Sequence, residues 1–111
     1  MKIKYSESAI KDLEEIGDYI AETLKSPMVA LKNVRKIQDT VDQLADFPLI
    51  GALLSSKVDI KTDYRFLVCG NYLVFYHTGA DSVFIDRVIY GKRDYIKILF
   101  DDCFEIQNSS E

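Results

Sequence analysis

The sequence predicts an α+β fold: a strand, an antiparallel helical hairpin, then a three- to four-stranded antiparallel sheet and a C-terminal helix. Three observations predict it. Two apolar stripes at helical spacing follow one another almost without a loop between residues 6 and 47. Three β-type segments, residues 64–69, 72–77 and 82–90, are separated only by short turn-forming stretches. After Gly91-Lys92-Arg93-Asp94 the apolar residues return to a helical period.

Residues 1–5 alternate charge and bulk (Lys2, Ile3, Lys4, Tyr5), as a short half-exposed strand does. Ser6 is placed as an N-cap, with Tyr5 and Ile10 flanking it as a hydrophobic staple. Ala9, Leu13, Ile16, Ile20 and Leu24 then recur every three or four residues, so the helix runs to about Lys25. Ser26-Pro27 restarts the chain, because a capping serine precedes a proline at the first helical position, where its missing N–H costs nothing. The second stripe is Leu31, Val34, Ile37, Val41 and Leu44. Phe47-Pro48 ends it, since the residue before a proline is pushed out of the α region. Two long helices joined this tightly lie antiparallel, and the strands cover their shared apolar side.

Residues 48–63 are the least regular, with Val58 and Ile60 alternating as a further strand would. Gly70-Asn71 marks a two-residue hairpin, because both residues tolerate positive φ. It sets the pairs Cys69–Tyr72, Val68–Leu73, Leu67–Val74, Phe66–Phe75 and Arg65–Tyr76. A four-residue turn over 78–81 pairs His77 with Ser82. That places Val83, Ile85, Arg87 and Ile89 on Arg65's face and Phe84, Asp86, Val88 and Tyr90 on the other, whereas a three-residue loop reverses the assignment for this strand. Ile96, Leu99, Phe100, Cys103 and Phe104 follow helical spacing and should dock on exposed sheet. Residues 1–106 thus read as a single domain, with 107–111 a flexible C-terminal end.

Charge excludes one class of function. The net charge is −4, with seven basic and nine acidic side chains in residues 1–56, seven and five in 57–97, and none and four in 98–111. A protein that grips nucleic acid by neutralising many phosphates carries a strong basic excess, so a broad electrostatic footprint is ruled out and only local contact with an anionic partner remains. The two cysteines, Cys69 and Cys103, have neither metal-ligand spacing nor the density of a disulfide scaffold and read as reduced thiols. Asp101-Asp102 reads as a solvated face, so no metal and no cofactor is expected. No apolar run approaches the roughly 18 residues of a membrane span, and the N-terminus lacks a signal-peptide core, which points to a cytoplasmic address without membrane contact.

The runs Tyr64-Arg65-Phe66-Leu67-Val68, Tyr72-Leu73-Val74-Phe75-Tyr76 and Asp86-Arg87-Val88-Ile89-Tyr90-Gly91-Lys92-Arg93-Asp94 resemble the RelE/ParE family of type II toxin–antitoxin toxins, over nearly the whole chain. The resemblance implies a toxin neutralised by a cognate antitoxin. It also implies one of two targets: DNA gyrase, poisoned in the ParE branch, or the ribosome and its mRNA, which the RelE branch cleaves in the A site. A third reading is a non-toxic binding module of the same fold. Cleavage at a 2′-hydroxyl needs a base, an acid and cations for the phosphate. Arg65 and Arg93 stand where the RelE branch places catalytic arginines, while the tyrosine that branch carries on the terminal helix is replaced by Leu99, with Tyr95 one turn earlier. The block from Asn71 to Asp94 is closer to the ParE branch, which favours gyrase and a non-catalytic surface. Target-binding residues are then Arg65, Tyr76, Arg87, Lys92 and Arg93, facing outward from the sheet; antitoxin-binding residues are Ile96, Leu99 and Phe100. Duller roles compete. Arg65 and Tyr76 can form a cross-strand cation–π pair, Arg87 can pair with Asp86 or an acidic helix residue, and His77 can be structural rather than an acid–base group.

Overall fold

The computed structural model describes residues 1–57 and 61–100. The expected strand at Val58 and Ile60, Cys103, Phe104 and the flexible end at 107–111 lie outside the described residues. The elements are β1 (Lys2–Tyr5), α1 (Glu7–Leu24), α2 (Pro27–Asp42), β2 (Ala52–Leu53), β3 (Arg65–Cys69), β4 (Tyr72–Thr78) and β5 (Ser82–Tyr90). Short 3-10 turns cover Gln43–Ala45 and Leu54–Ser56, and residues 95–100 are helical.

The caps lie where the serines place them. Ser6 Oγ accepts a hydrogen bond from Ala9 N at 3.0 Å and donates one to Asp86 O at 2.8 Å, so the start of α1 is tied to β5. Ser26 Oγ accepts from Val29 N at 3.2 Å with Pro27 opening α2. Between the helices Lys25 adopts a left-handed conformation at φ 50°, which reverses the chain within two residues. The buried stripe of α2 starts on Ala30, then takes Ile37, Val41 and the following Leu44. Leu31 lies off that heptad line and is 56% exposed. Leu24, at the end of the α1 stripe, is likewise exposed.

Five strands form one sheet in the order β1-β5-β4-β3-β2, with β1 parallel to β5 and the remaining pairs antiparallel. The β3–β4 register is the expected one at all five pairs. In its turn only Gly70 has positive φ, at 59°, the pattern of a II′ turn. β4 and β5 pair two residues away from the expectation, His77 opposite Phe84 and Thr78 opposite Val83. Because a slip of two keeps the parity, Val83 and Ile85 still share the face of Arg65 and Tyr76.

The parity then breaks. Tyr76 pairs with Ile85 but Phe75 pairs with Arg87, so Asp86 is the extra residue of a β-bulge. Beyond it the faces exchange relative to the expectation: Val88 joins the helix-side core, and Ile89 the opposite one. The helix-side core is built from Ala9, Leu13, Ile37, Val41, Leu44, Val74, Tyr76, Val83, Ile85 and Val88. On the other face Leu54, Phe75 and Ile89 are covered by Tyr64, Phe66 and the 95–100 segment, which docks on the sheet as its spacing requires.

Among the described residues, one charged side chain is buried in this packing. Asp12, 8% exposed, accepts from Arg87 Nε at 2.7 Å, Arg87 Nη2 at 2.8 Å and Val88 N at 2.9 Å. At the other end of the helix layer, burial and the nearby Asp42 carboxylate push the Tyr5 phenol up to about 12. A folded-state pKa above the ordinary 10 means that this contribution to stability is complete below pH 10 and is lost as pH rises through 12. Denaturant unfolding between pH 9 and about 12 should therefore show an alkaline decline in stability that Tyr5→Phe makes shallower; an unchanged decline would contradict it.

Candidate functional site

Arg65 opens β3 and is only half-buried, yet its guanidinium is engaged: Nη1 donates to Gly51 O at 2.8 Å and to Leu49 O at 3.4 Å. Its cross-strand neighbour Tyr76 is fully buried, with its hydroxyl accepting from Gly51 N at 2.9 Å. Burial raises the Tyr76 pKa, with the Gly51 bond and the Arg65 charge pulling the other way. Gly51 fits between them because it has no side chain, since a Cβ there would lie 2.5 Å from the Tyr76 hydroxyl and 2.8 Å from Phe66 O. Arg65 and Tyr76 are therefore neighbours, as the register required, but together they hold the 49–51 segment against the sheet. The expected target-binding role of Tyr76 is corrected: its side chain has no surface to offer.

Arg87 is also corrected, from an outward cation to the partner of Asp12. The bulge sets it opposite Phe75 rather than on Arg65's face, and its guanidinium reaches the α1 carboxylate. Asp12 raises the pKa of its guanidinium against the opposing effect of burial, so Arg87 stays charged. The acidic helix residue weighed for Arg87 is the one it finds; Asp86 instead binds His77, Oδ2 to Nδ1, at 2.6 Å. His77 stacks on Phe84, ring centroids 5.0 Å apart, with Tyr64 at 6.0 Å. Burial raises the Asp86 pKa, more than the His77 bond lowers it. Sequence reasoning put both on one face but missed this pair, because its register set Asp86 further along β4, opposite Leu73.

Lys92 and Arg93 are exposed. Their turn is pinned to the hairpin tip by Gly91 N donating to Asn71 O at 2.8 Å, and Arg93 N donates to Tyr90 O at 3.0 Å. Asp94 Oδ1 accepts from Lys97 N at 3.3 Å as the helical residues begin. Lys92 borders a shallow cleft of about 500 Å³ with Lys57, Phe66, Val68, Leu73 and Tyr95. Val68 is 63% exposed there, an apolar side chain on the same cleft as the two lysines. Arg93 borders a second cleft, on the helix side of the sheet, with Glu15, Tyr19, Tyr72 and Tyr90.

Ile96, Leu99 and Phe100 pack, half-buried, against Leu54, Phe75 and Ile89 of this chain's own sheet, and Phe100 approaches the Tyr64 ring at 5.8 Å. A further groove of about 730 Å³ runs between α1 and α2, lined by Ile10, Leu13, Ala21, Leu31 and Val34 with Glu14 and Asp18 at its edge. Among the described residues, no group of three or more His, Cys, Asp or Glu side chains is gathered as a metal site, and no helix is long and apolar enough to cross a membrane.

Comparison with known proteins bears on this geometry directly. A family model described as the ParE toxin of the type II toxin–antitoxin system, parDE, matches residues 3–95. Among solved structures, a chain of the chromosomal ParDE TA system from P. aeruginosa is similar at 26% identity and a TM-score of 0.69, over 81% of this chain and 95% of that one. No curated protein matches by sequence.

The two arginines placed as catalytic candidates should separate on stability. Arg65→Ala should cost about 1.5–3 kcal/mol in urea unfolding, the range for hydrogen bonds from a charged donor, whereas Arg93→Ala should stay within about 0.5 kcal/mol. Equal effects would contradict the structural role of Arg65.

Proposed function

The chain belongs to the ParE toxin family of type II toxin–antitoxin systems, and on that premise we propose that it arrests growth by inhibiting DNA gyrase until a cognate antitoxin covers it. The observation that carries this reading is the engagement of Arg65 by the carbonyls of Gly51 and Leu49. An RNA-cleaving site of the RelE kind needs that guanidinium on a phosphate, together with an acid and a base. Leu99, at the position of that branch's tyrosine, moves no protons and lies in an apolar cluster.

A non-catalytic toxin works through surface. The patch around Val68, Phe66 and Tyr95, with Lys57 and Lys92 on it and the exposed Arg93 next in the chain, has the apolar centre and charged rim of a protein-binding surface. It is the proposed gyrase contact. The similar ParDE structure supports an antitoxin as partner. If Ile96, Leu99 and Phe100 bind that antitoxin, residues 95–100 must leave the sheet first, since those side chains pack on it. Inhibition of growth, and stabilisation of any plasmid that carries the pair, follow from that partnership in the cytoplasm.

Purified protein incubated with gyrase and plasmid should block supercoiling and trap a cleaved complex. Lys92→Glu with Arg93→Glu should weaken inhibition about tenfold, the equivalent of 1.4 kcal/mol of binding. Unimpaired gyrase together with A-site cleavage in toeprinting would establish the RelE-like reading instead, and the absence of both activities would leave a non-toxic binding module.

A further inference from the structure

We propose that the cleft between α1 and the outer ends of β4 and β5 is a nucleotide site, taking a nucleobase against its tyrosines and the attached phosphate on Arg93. Its volume is about 640 Å³, inside the range of roughly 300–1,000 Å³ usual for small-molecule sites. One wall is the α1 face carrying Glu15 and Tyr19; the other is Tyr72 and Tyr90, with Asn71 and Arg93 closing the end. Ile16 and Val88 supply an apolar floor.

The aromatic residues are what a flat ring needs. Tyr72 and Tyr90 meet edge to face at 5.8 Å and 65°, so the two rings present differently oriented surfaces. Tyr19 is 66% exposed, a large apolar side chain that the core leaves in water at the mouth. Stacking on such rings needs only the π-face of a base. The Tyr72 phenol is raised in pKa by burial and by Tyr90 and Tyr19, so it stays protonated and can donate to a base edge.

The charges select among ligands. Asp12 is occupied by Arg87 and Val88 N, which leaves Glu15 and Arg93 as the charges of opposite sign on the cleft. A cationic side chain would meet Arg93, and a simple anion would meet Glu15. A nucleotide satisfies both, with its phosphate on the guanidinium and its sugar hydroxyls or base amino group on Glu15 and the Asn71 amide. A free nucleotide and a base turned out of a strand share this chemistry. The site does not depend on the gyrase reading, because binding is measured on the chain alone.

The test titrates the full chain with AMP, adenosine and a short oligodeoxyadenylate, followed by tyrosine emission, which seven tyrosines and no tryptophan make the only aromatic signal of its kind. Saturable AMP binding is expected, weakened about tenfold by Tyr19→Ala. Arg93→Gln should weaken AMP about tenfold while leaving adenosine unchanged. Both positions are exposed, so unchanged melting temperatures will show that the variants fold. Tighter binding of AMP than of the oligonucleotide identifies a free nucleotide as ligand, and the reverse order a strand. The proposal is overturned by no saturation at about 10 mM AMP, by affinities that ignore both substitutions, or by acetyl-arginine amide binding in preference to AMP, which would make the cleft a socket for a partner's basic side chain.

Discussion

The carboxylate of Asp12 fastens the helical layer to the sheet. A buried carboxylate costs several kcal/mol unless it is paired and hydrogen-bonded, and here both oxygens are satisfied by one guanidinium and one backbone amide. Those donors come from consecutive residues, Arg87 and Val88. In a regular strand side chains an odd number of residues apart point to opposite faces, so Ile85 and Val88 both packing in the helix-side core requires the bulge at Asp86. The bulge has two further consequences. It turns Ile89 to the far face, under the segment 95–100, and it leaves Tyr90 beside Tyr72 in the cleft facing α1.

Much of this fold was legible in the sequence because it depends on local chemistry. The serine caps, Pro27 at the first helical position and the Gly70-Asn71 turn each act within a few residues, and each fixed its element in the expected place. The features that escaped depend on distant contacts. Nothing in Lys2 to Tyr5 says that the strand will lie parallel to β5. Asp86 and Arg87 read as ordinary alternating positions until Asp12, 75 residues away from Arg87, is brought opposite.

The site divides along the same line. Lys92 and Arg93 were legible as surface cations because they follow a glycine at the end of a strand, in a turn with no core to bury them. Strand parity gives which residues share a face but not which face the helices cover, nor where a bulge changes it, so the sequence alone leaves Arg65, Tyr76 and Arg87 pointing outward. The structure places all three toward internal partners: backbone carbonyls, the Gly51 amide and Asp12. The surface left for partners is consequently smaller than the sequence suggested and shifted to the end of the sheet, where the hairpin tip, the Gly91 turn and α1 meet.

A double-mutant cycle in urea unfolding on Asp12→Ala and Arg87→Ala tests the fastening most directly. Each single substitution should cost about 3 kcal/mol or more, because it strands the other charge in the packing. The double variant should fall short of the sum by at least about 1.5 kcal/mol, as expected for residues in direct contact. Losses that add to within about 0.5 kcal/mol would show that the two side chains act independently, and would contradict the central role given to this pair.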